Sequence, residues 1–471
     1  MGESVTGPKI SSMAYIKPVV SLIVFVALAA LIPLALGLLH PATYFGLMLG
    51  LILAGLFVID IRIFILVYIA VRGLMEAFLG PTRISVGGLS MQMLGVLGAA
   101  ILFGGFIYII VNKVKIWEVS VVGPMLIFLF ATLPVTLTMS EDKMSGFKDW
   151  VGTASTIVLF ILIAELFANR RYLKMLLAAL VISTIPPLAM GVYQFVTDTG
   201  NHDTPGFNRI FAAFPHPNAY ATYLMMILLL CIPLLIETRV RWQRIVYVVL
   251  CGAMLFSLIY TYARAAWIDL VAGLLVVGSF RYRKMLLLVP VGIIILLLLV
   301  PSILERFQEA LGFSQGQGSM FFRVEMWRYL LPKFYASPIV GNGLGSYGVY
   351  AEEGLGYYYM PHNDYVHLLV DSGVIGLGCY LAAIFGVFRG AVRSYFKFED
   401  TQLKILALVM IAVVISYLLG SITDNLFRAG ATQTYFWAMA GLVAAATRMT
   451  NTQEQEQLET AGQYKLASVE T

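Results

Sequence analysis

Apolar runs of about 18 or more residues follow one another along nearly the whole of this 471-residue chain. That is the length a helix needs to cross the hydrocarbon core of a bilayer, roughly 30 Å thick. No water reaches that core to pair with backbone N–H and C=O groups, so a spanning segment must satisfy them within itself. The runs therefore predict an all-α polytopic membrane protein. Only 12% of the residues are charged, about half the share of a soluble domain.

The runs divide into about 12–14 transmembrane helices, at roughly 18–39, 41–60, 62–80, 92–111, 119–139, 149–168, 173–196, 218–237, 245–263, 265–280, 285–304, 363–388, 402–423 and 430–447. The run after Lys17 lacks a small-residue cleavage site and reads as a retained first helix. Ile245 to Phe280 is one apolar stretch that would be about 54 Å long as a single helix. A hairpin with its tip at "YTYARAAW", residues 260–267, fits the bilayer instead. The organisation is then a transmembrane domain over 1–447, interrupted by a long loop at 305–361, and a polar tail over 448–471 expected to be disordered. Cys231, Cys251 and Cys379 all fall in apolar runs and read as small packing residues.

Basic residues set the orientation. Lys113 and Lys115, then Arg170, Arg171 and Lys174, Arg239, Arg241 and Arg244, Arg281, Arg283 and Lys284, and Arg389, Arg393 and Lys397 all follow even-numbered spans. They share one side, which the positive-inside rule makes cytoplasmic, and both termini go with them. The opposite, periplasmic side receives the 197–217 loop, the hairpin tip with Arg264 and the long loop ending in "MPHN". His202, His216, His362 and His367 fall there too.

Spans eight, ten and twelve each present their N-terminal ends on that outer side. Asn218 and Asn363 stand where two of those helices should start, as cap residues. A helix N-terminus attracts anions, and Arg209 and Arg264 add fixed charge able to grip phosphate oxygens. The same positive field favours a neutral imidazole at His362, which can accept a proton as a general base. Asp424, in "GSITDNLFR" at the outer end of its span, is a carboxylate that orients a histidine or pairs with an arginine.

Each residue also has a plainer role. Arginines anchor helix ends at the interface, a histidine at a cap bonds a carbonyl, and His216 serves a Pro-His-Pro bend. His367 is five residues from His362, about 140° around a helix, so the two do not share a face. The outer histidines with Asp203, Glu352 and Glu353 form no compact ligand motif, and no metal or cofactor is expected. The long loop mixes aromatic and basic residues in "LERFQEALGF" and "FFRVEMWRYLLPKFY", as interfacial helices do. Its "GYYY" offers stacking surface for sugars or an interfacial aromatic belt.

"GFNRIFAAFPHPNAYA", "YTYARAAW", "FRVEMWRYLLPKFYASPIVGNGLGSYG" and "HNDYVHLLVDSGVIGLGCY", in this order, resemble the O-antigen ligase and O-antigen polymerase superfamily. The resemblance runs from Arg209 to about residue 390. It implies a GT-C-like membrane glycosyltransferase that takes a glycan from undecaprenyl diphosphate at the periplasmic face of the bacterial inner membrane. The acceptor is lipid A–core in ligases, a second lipid-linked repeat in polymerases, and a protein in some relatives. By the same resemblance His362 is the essential histidine, Arg264 and Arg209 bind the donor diphosphate, and Asp424 is the acidic residue of the last outer loop. It further implies one inverting displacement without a metal, with the bilayer and lipid-linked glycans as partners and no nucleic acid. A transporter of anionic lipid or glycan is the rival from another class. It calls for charges near the midplane and broken helices in matched halves, whereas the candidate charges here gather at one rim. A scaffold gives no reason for the Arg/His set.

Overall fold

The computed structural model describes residues 41–467 apart from 80–82, 87–88, 117–119, 203–205, 301, 303, 306–318 and 356–360. The first expected span, Asp203, most of "LERFQEALGF" and Tyr357 to Tyr359 lie outside the described residues. The described chain is an all-α membrane protein. Eight helical stretches of 18 or more residues in it, one of them the broken stretch Arg170–Thr197, are apolar enough to cross a bilayer, and shorter apolar helices accompany them.

In chain order the helices are α1 (Pro41–Ile59), α2 (Ile61–Leu79), α3 (Met93–Val111), α4 (Val122–Met139), α5 (Lys143–Leu166), α6 (Arg170–Ile182), α7 (Ile185–Thr197), α8 (Pro217–Glu237), α9 (Arg241–Tyr260), α10 (Arg264–Phe280), α11 (Met285–Leu299), α12 (Ser319–Ala336), α13 (Ser346–Leu355), α14 (Asp364–Lys397), α15 (Thr401–Gly420) and α16 (Gly430–Ala467). Apart from the first, each span expected from hydropathy coincides with a helix or, for 173–196, with the pair α6 and α7. An unanticipated antiparallel ribbon, β1 (Arg83–Val86) with β2 (Leu89–Gln92), joins α2 to α3.

Hydropathy alone does not say which helices are central. In α8 and α15 78% of the apolar window is buried, against 22% in α3 and α9. Buried α8 and α15 pack with α16 at the centre, and α3 and α9 turn side chains such as Phe103 and Val249 outward.

Two spans are broken for reasons visible in the residues. Between α6 and α7 the chain meets Pro186 and Pro187, which lack the N–H a helix interior needs. Ser183 and Thr184 donate their hydroxyls to Leu180 O and Val181 O there. In α14 the break is at Gly373, whose φ of 62° lies in the left-handed region. The groups released by that break are taken up by the segment 338–347, which packs between α14 and the α4–α5 turn. Val374 N and Ile375 N donate to Pro338 O and Ile339 O, and Asn342 N and Gly343 N donate to Val370 O and Asp371 O. Irregular backbone inside a membrane protein persists where protein satisfies it. Close approach sets the glycines: a Cβ on Gly343 would lie 2.8 Å from Ser140 Cβ, and its φ is 94°.

The tail differs from expectation. α16 continues as helix to Ala467, beyond the apolar part of its span. "NTQEQEQLETA" is rich in good helix formers, and a long helix already nucleated in the bundle extends at little cost.

The connections collect at two ends. One, the basic end, carries the turns after α3, α5, α8, α10 and α14; the other, the loop end, carries 198–216, 261–263, 300–363 and 421–429.

Candidate active site

Every sequence-predicted site residue lies at the loop end, and a chain of contacts connects most of them. His362 is at the entrance to α14, where Asn363 caps the helix by accepting Val366 N through Oδ1 at 3.0 Å. The His362 backbone is left-handed, φ 46°, an unfavourable state for a residue with a Cβ that its surroundings must enforce. Trp327 of α12 donates its indole N–H to Pro361 O at 2.6 Å on one side. On the other, Asp364 N donates to Ser421 O, and the Asp364 carboxylate accepts Ser421 Oγ and Phe427 N. The imidazole is thus fixed between the covering helix and the 421–429 loop.

That loop brings Asp424 to His362, with Oδ1 at 3.2 Å from Nδ1. Burial alone would raise the Asp424 carboxyl. The hydrogen bond to His362, then the charges of His362, His216 and Arg323, outweigh it and hold the carboxyl at about 2. An ionised carboxylate only accepts hydrogen bonds, so the proton of the shared bond sits on Nδ1 and Nε2 is the ring nitrogen at which a proton is gained or lost. This is the arrangement by which an acidic residue fixes the tautomer of a general base.

The His216 ring is 6.2 Å from that of His362, centroid to centroid. His216, not Asn218, caps α8: its Nδ1 accepts Asn218 N at 3.1 Å. With His216 as cap, Asn218 is already inside the first turn and its side chain turns to Arg209, accepting Nη2–H at 2.8 Å. Arg209 is 7% exposed and also donates Nε–H to Thr261 O at 2.9 Å. It acts as a strut between the start of α8 and the α9–α10 turn. Half-buried Arg264 opens α10 directly beyond that turn, as the hairpin reading expected.

Sequence reasoning passed over three contributors. Arg323, in the quoted "FFRVEMW", reaches Asp424 electrostatically from α12, whereas Arg328 of the same helix points away and pairs with Glu325. Five residues apart on a helix, the two face different ways, but their order alone does not say which turns inward. Gln194 of α7, 4% exposed, pins the 208–214 turn: Oε1 accepts Phe211 N and Ala212 N, and Nε2 donates to Ala212 O. The third is a buried series in which Asp149 pairs with Arg428 at 3.0 Å, Arg428 donates to the Tyr347 hydroxyl, and the Tyr347 ring lies edge-on to His367 at 4.4 Å. His367 in turn faces Asp371 at 3.3 Å, and Asp371 accepts Gly345 N and Tyr347 N. His367 thus belongs to the supporting structure under the long loop, as its helical position relative to His362 suggested.

Among the described residues no three or more His, Cys, Asp or Glu are placed to share a metal. The cluster combines one oriented base with guanidinium charges at a single end of an apolar bundle. Such a site suits proton removal from a hydroxyl beside an anionic leaving group.

A family model described as O-antigen ligase matches residues 248–381. The match supports the O-antigen ligase and O-antigen polymerase superfamily, whose members imply a membrane glycosyltransferase of ligase or polymerase type. It takes in Arg264, Arg323 and His362 and leaves Arg209, His216 and Asp424 to either side. No curated protein matches the chain.

Proposed function

We propose, for a chain whose central segment is of the O-antigen ligase family, that it transfers a glycan from undecaprenyl diphosphate to an acceptor hydroxyl, with lipid A–core as the acceptor. The reaction takes place at the periplasmic face of the bacterial inner membrane, with both termini in the cytoplasm. The pairing of His362 Nδ1 with Asp424 Oδ1 at 3.2 Å carries this reading, because it supplies an oriented base among arginines.

His362 Nε2 removes the proton of the acceptor hydroxyl as its oxygen attacks the anomeric carbon of the donor sugar. The bond from that carbon to the diphosphate oxygen breaks, and its electron pair leaves with undecaprenyl diphosphate. One displacement of this kind inverts the anomeric configuration. Arg264 and Arg323 meet the charge that grows on the leaving diphosphate, a term usually among the largest in catalysis. Arg209, fixed to Thr261 O and Asn218, adds charge and holds the hairpin tip in place. Asp424 keeps the tautomer and stabilises the imidazolium as it forms. Fixed guanidinium charge does here what a divalent ion does for nucleotide-sugar enzymes.

A transporter would also use a broken helix, and α14 is broken at Gly373. Its released backbone groups, however, are bonded to the 338–343 segment and not turned to a passage, which favours chemistry at one surface.

Purified protein given an undecaprenyl-diphosphate glycan with lipid A–core, or separately with a second lipid-linked repeat, tests the reading. One glycan per lipid A–core is the expected product. Growing chains on the lipid-linked repeat would make the enzyme a polymerase with the same donor chemistry. No transfer to either acceptor would overturn the proposal.

A further inference from the structure

We infer that Arg72 and the first turn of α16 form a second anion subsite, which takes a phosphate group carried by the acceptor lipid. The assignment to the acceptor rests on the transferase reading; the anion subsite itself does not.

Arg72 lies in apolar α2 and is 4% exposed. A guanidinium so placed costs several kcal/mol unless its donors are met. Only part of that demand is answered. Nη2 donates to Glu76 Oε1 at 2.7 Å, while Nε and Nη1 are buried with no hydrogen-bond partner. By the chemistry of the group, three N–H bonds remain unsatisfied. Thr432 Oγ1, fully buried in the first turn of α16, also has none.

Arg72 meets this helix N-terminus at the surface. Gly430, the first residue of α16, is exposed, and a Cβ built on it would stand 3.1 Å from Arg72 Nη2. The absence of a side chain there leaves Nη2 uncovered by the end of the helix, with the buried Nε and Nη1 behind it. The positive end of α16, its first-turn amides and the unmet Arg72 donors together suit an oxyanion. Glu76, whose side chain is 19% exposed, is the internal anion that an incoming phosphate displaces or shares.

This place is distinct from the His362 cluster. Gly73, next to Arg72, packs against Phe214, two residues before His216, so the subsite lies behind the 213–217 turn from the imidazole. A reaction that joins two lipid-borne substrates must seat both at one membrane face, and two separate phosphate seats would do so.

The test uses full-length protein in two arms. In an Arg264→Ala background, inorganic phosphate should raise the Tm relative to chloride at matched ionic strength. Glu76→Gln should enlarge that shift by removing the competing carboxylate. The double variant R72Q/E76Q, which leaves no unpaired buried charge, should abolish it. In the transfer assay with Arg264 intact, R72Q/E76Q should raise KM for a phosphorylated acceptor about tenfold or more. The donor KM should stay unchanged, and a dephosphorylated acceptor should lose the difference between variant and wild type. No phosphate shift in the Arg264→Ala background, or one that survives the double variant, overturns the subsite. Equal rises in donor and acceptor KM overturn its assignment to the acceptor. If the wild type transfers nothing, the transferase reading fails, and the phosphate arm decides the subsite alone.

Discussion

The enclosed charged pairs of the bundle gather at one of its two ends. At the basic end, Arg170 with Asp400, Lys397 with Glu454, Arg281 with Glu237 and Arg448 with Glu165 all keep about a quarter or more of each side chain exposed. At the loop end, Arg328 with Glu325 and Lys333 with Glu353 are also exposed, but His362 with Asp424, Arg428 with Asp149, and His367 with Asp371 are nearly or wholly enclosed, and Asp371 also accepts two backbone N–H groups. Exposed pairs contribute little, since water and salt already screen them. Enclosed pairs bear a desolvation cost and persist only where geometry repays it. The pairs of the basic end therefore fix little, whereas the enclosed pairs of the loop end hold particular groups in fixed relation.

The sharpest attempt to break that contrast is His362→Gln. It should leave the protein folded and lower transfer by about 10²–10⁴-fold, read as kcat on purified protein; full activity would remove the base from the mechanism. Arg428→Met tests enclosure without touching His362. It strands Asp149 and should cost about 3–5 kcal/mol of stability, seen as a fall in Tm.

Asp424→Asn should lower kcat by about 10²-fold with little change in KM, since it disturbs the tautomer and not substrate binding. With its carboxyl held at about 2, Asp424 stays ionised throughout pH 5–8, so it contributes no step to the wild-type pH profile there. The sign of its stability contribution follows from a lowered carboxyl. The contribution is complete above about 4 and disappears as pH falls toward 2. Acid unfolding of Asp424→Asn should lack that component.

Smaller effects are expected at the basic end. Arg170→Gln should shift stability by no more than about 1 kcal/mol and leave transfer unchanged, despite a 2.6 Å pair with Asp400. Smallest of all, EDTA should not alter transfer. Loss on chelation with recovery on adding a divalent ion would show that arginines alone do not serve the diphosphate.

Much of the fold was legible because its signals are local. Apolar run length located the spans, and the excess length of 245–280 required the hairpin that the Thr261–Ala263 turn provides. Asn363 was recognisable as a cap from its position before a long apolar helix, and it is one. Asn218 was not the cap, because His216 two residues earlier offers a ring nitrogen to the same helix end. The helical tail past residue 447 was missed because polar composition says that a segment has no core to bury, not that a helix already under way must stop.

The sequence by itself determined which segments are long and apolar enough to cross a membrane, that His362 stands at the entrance to a helix, and that Arg209, Arg264 and Asp424 share an end with it. Those are matters of hydropathy, length and spacing along one dimension. Only the tertiary structure decided that Asp424 meets His362 across 62 positions, that Arg323 and not Arg328 faces them, and that 338–347 bonds the broken backbone of α14. Lateral contacts between apolar helices arise from side-chain shape and mutual packing, and a hydropathy pattern leaves them open.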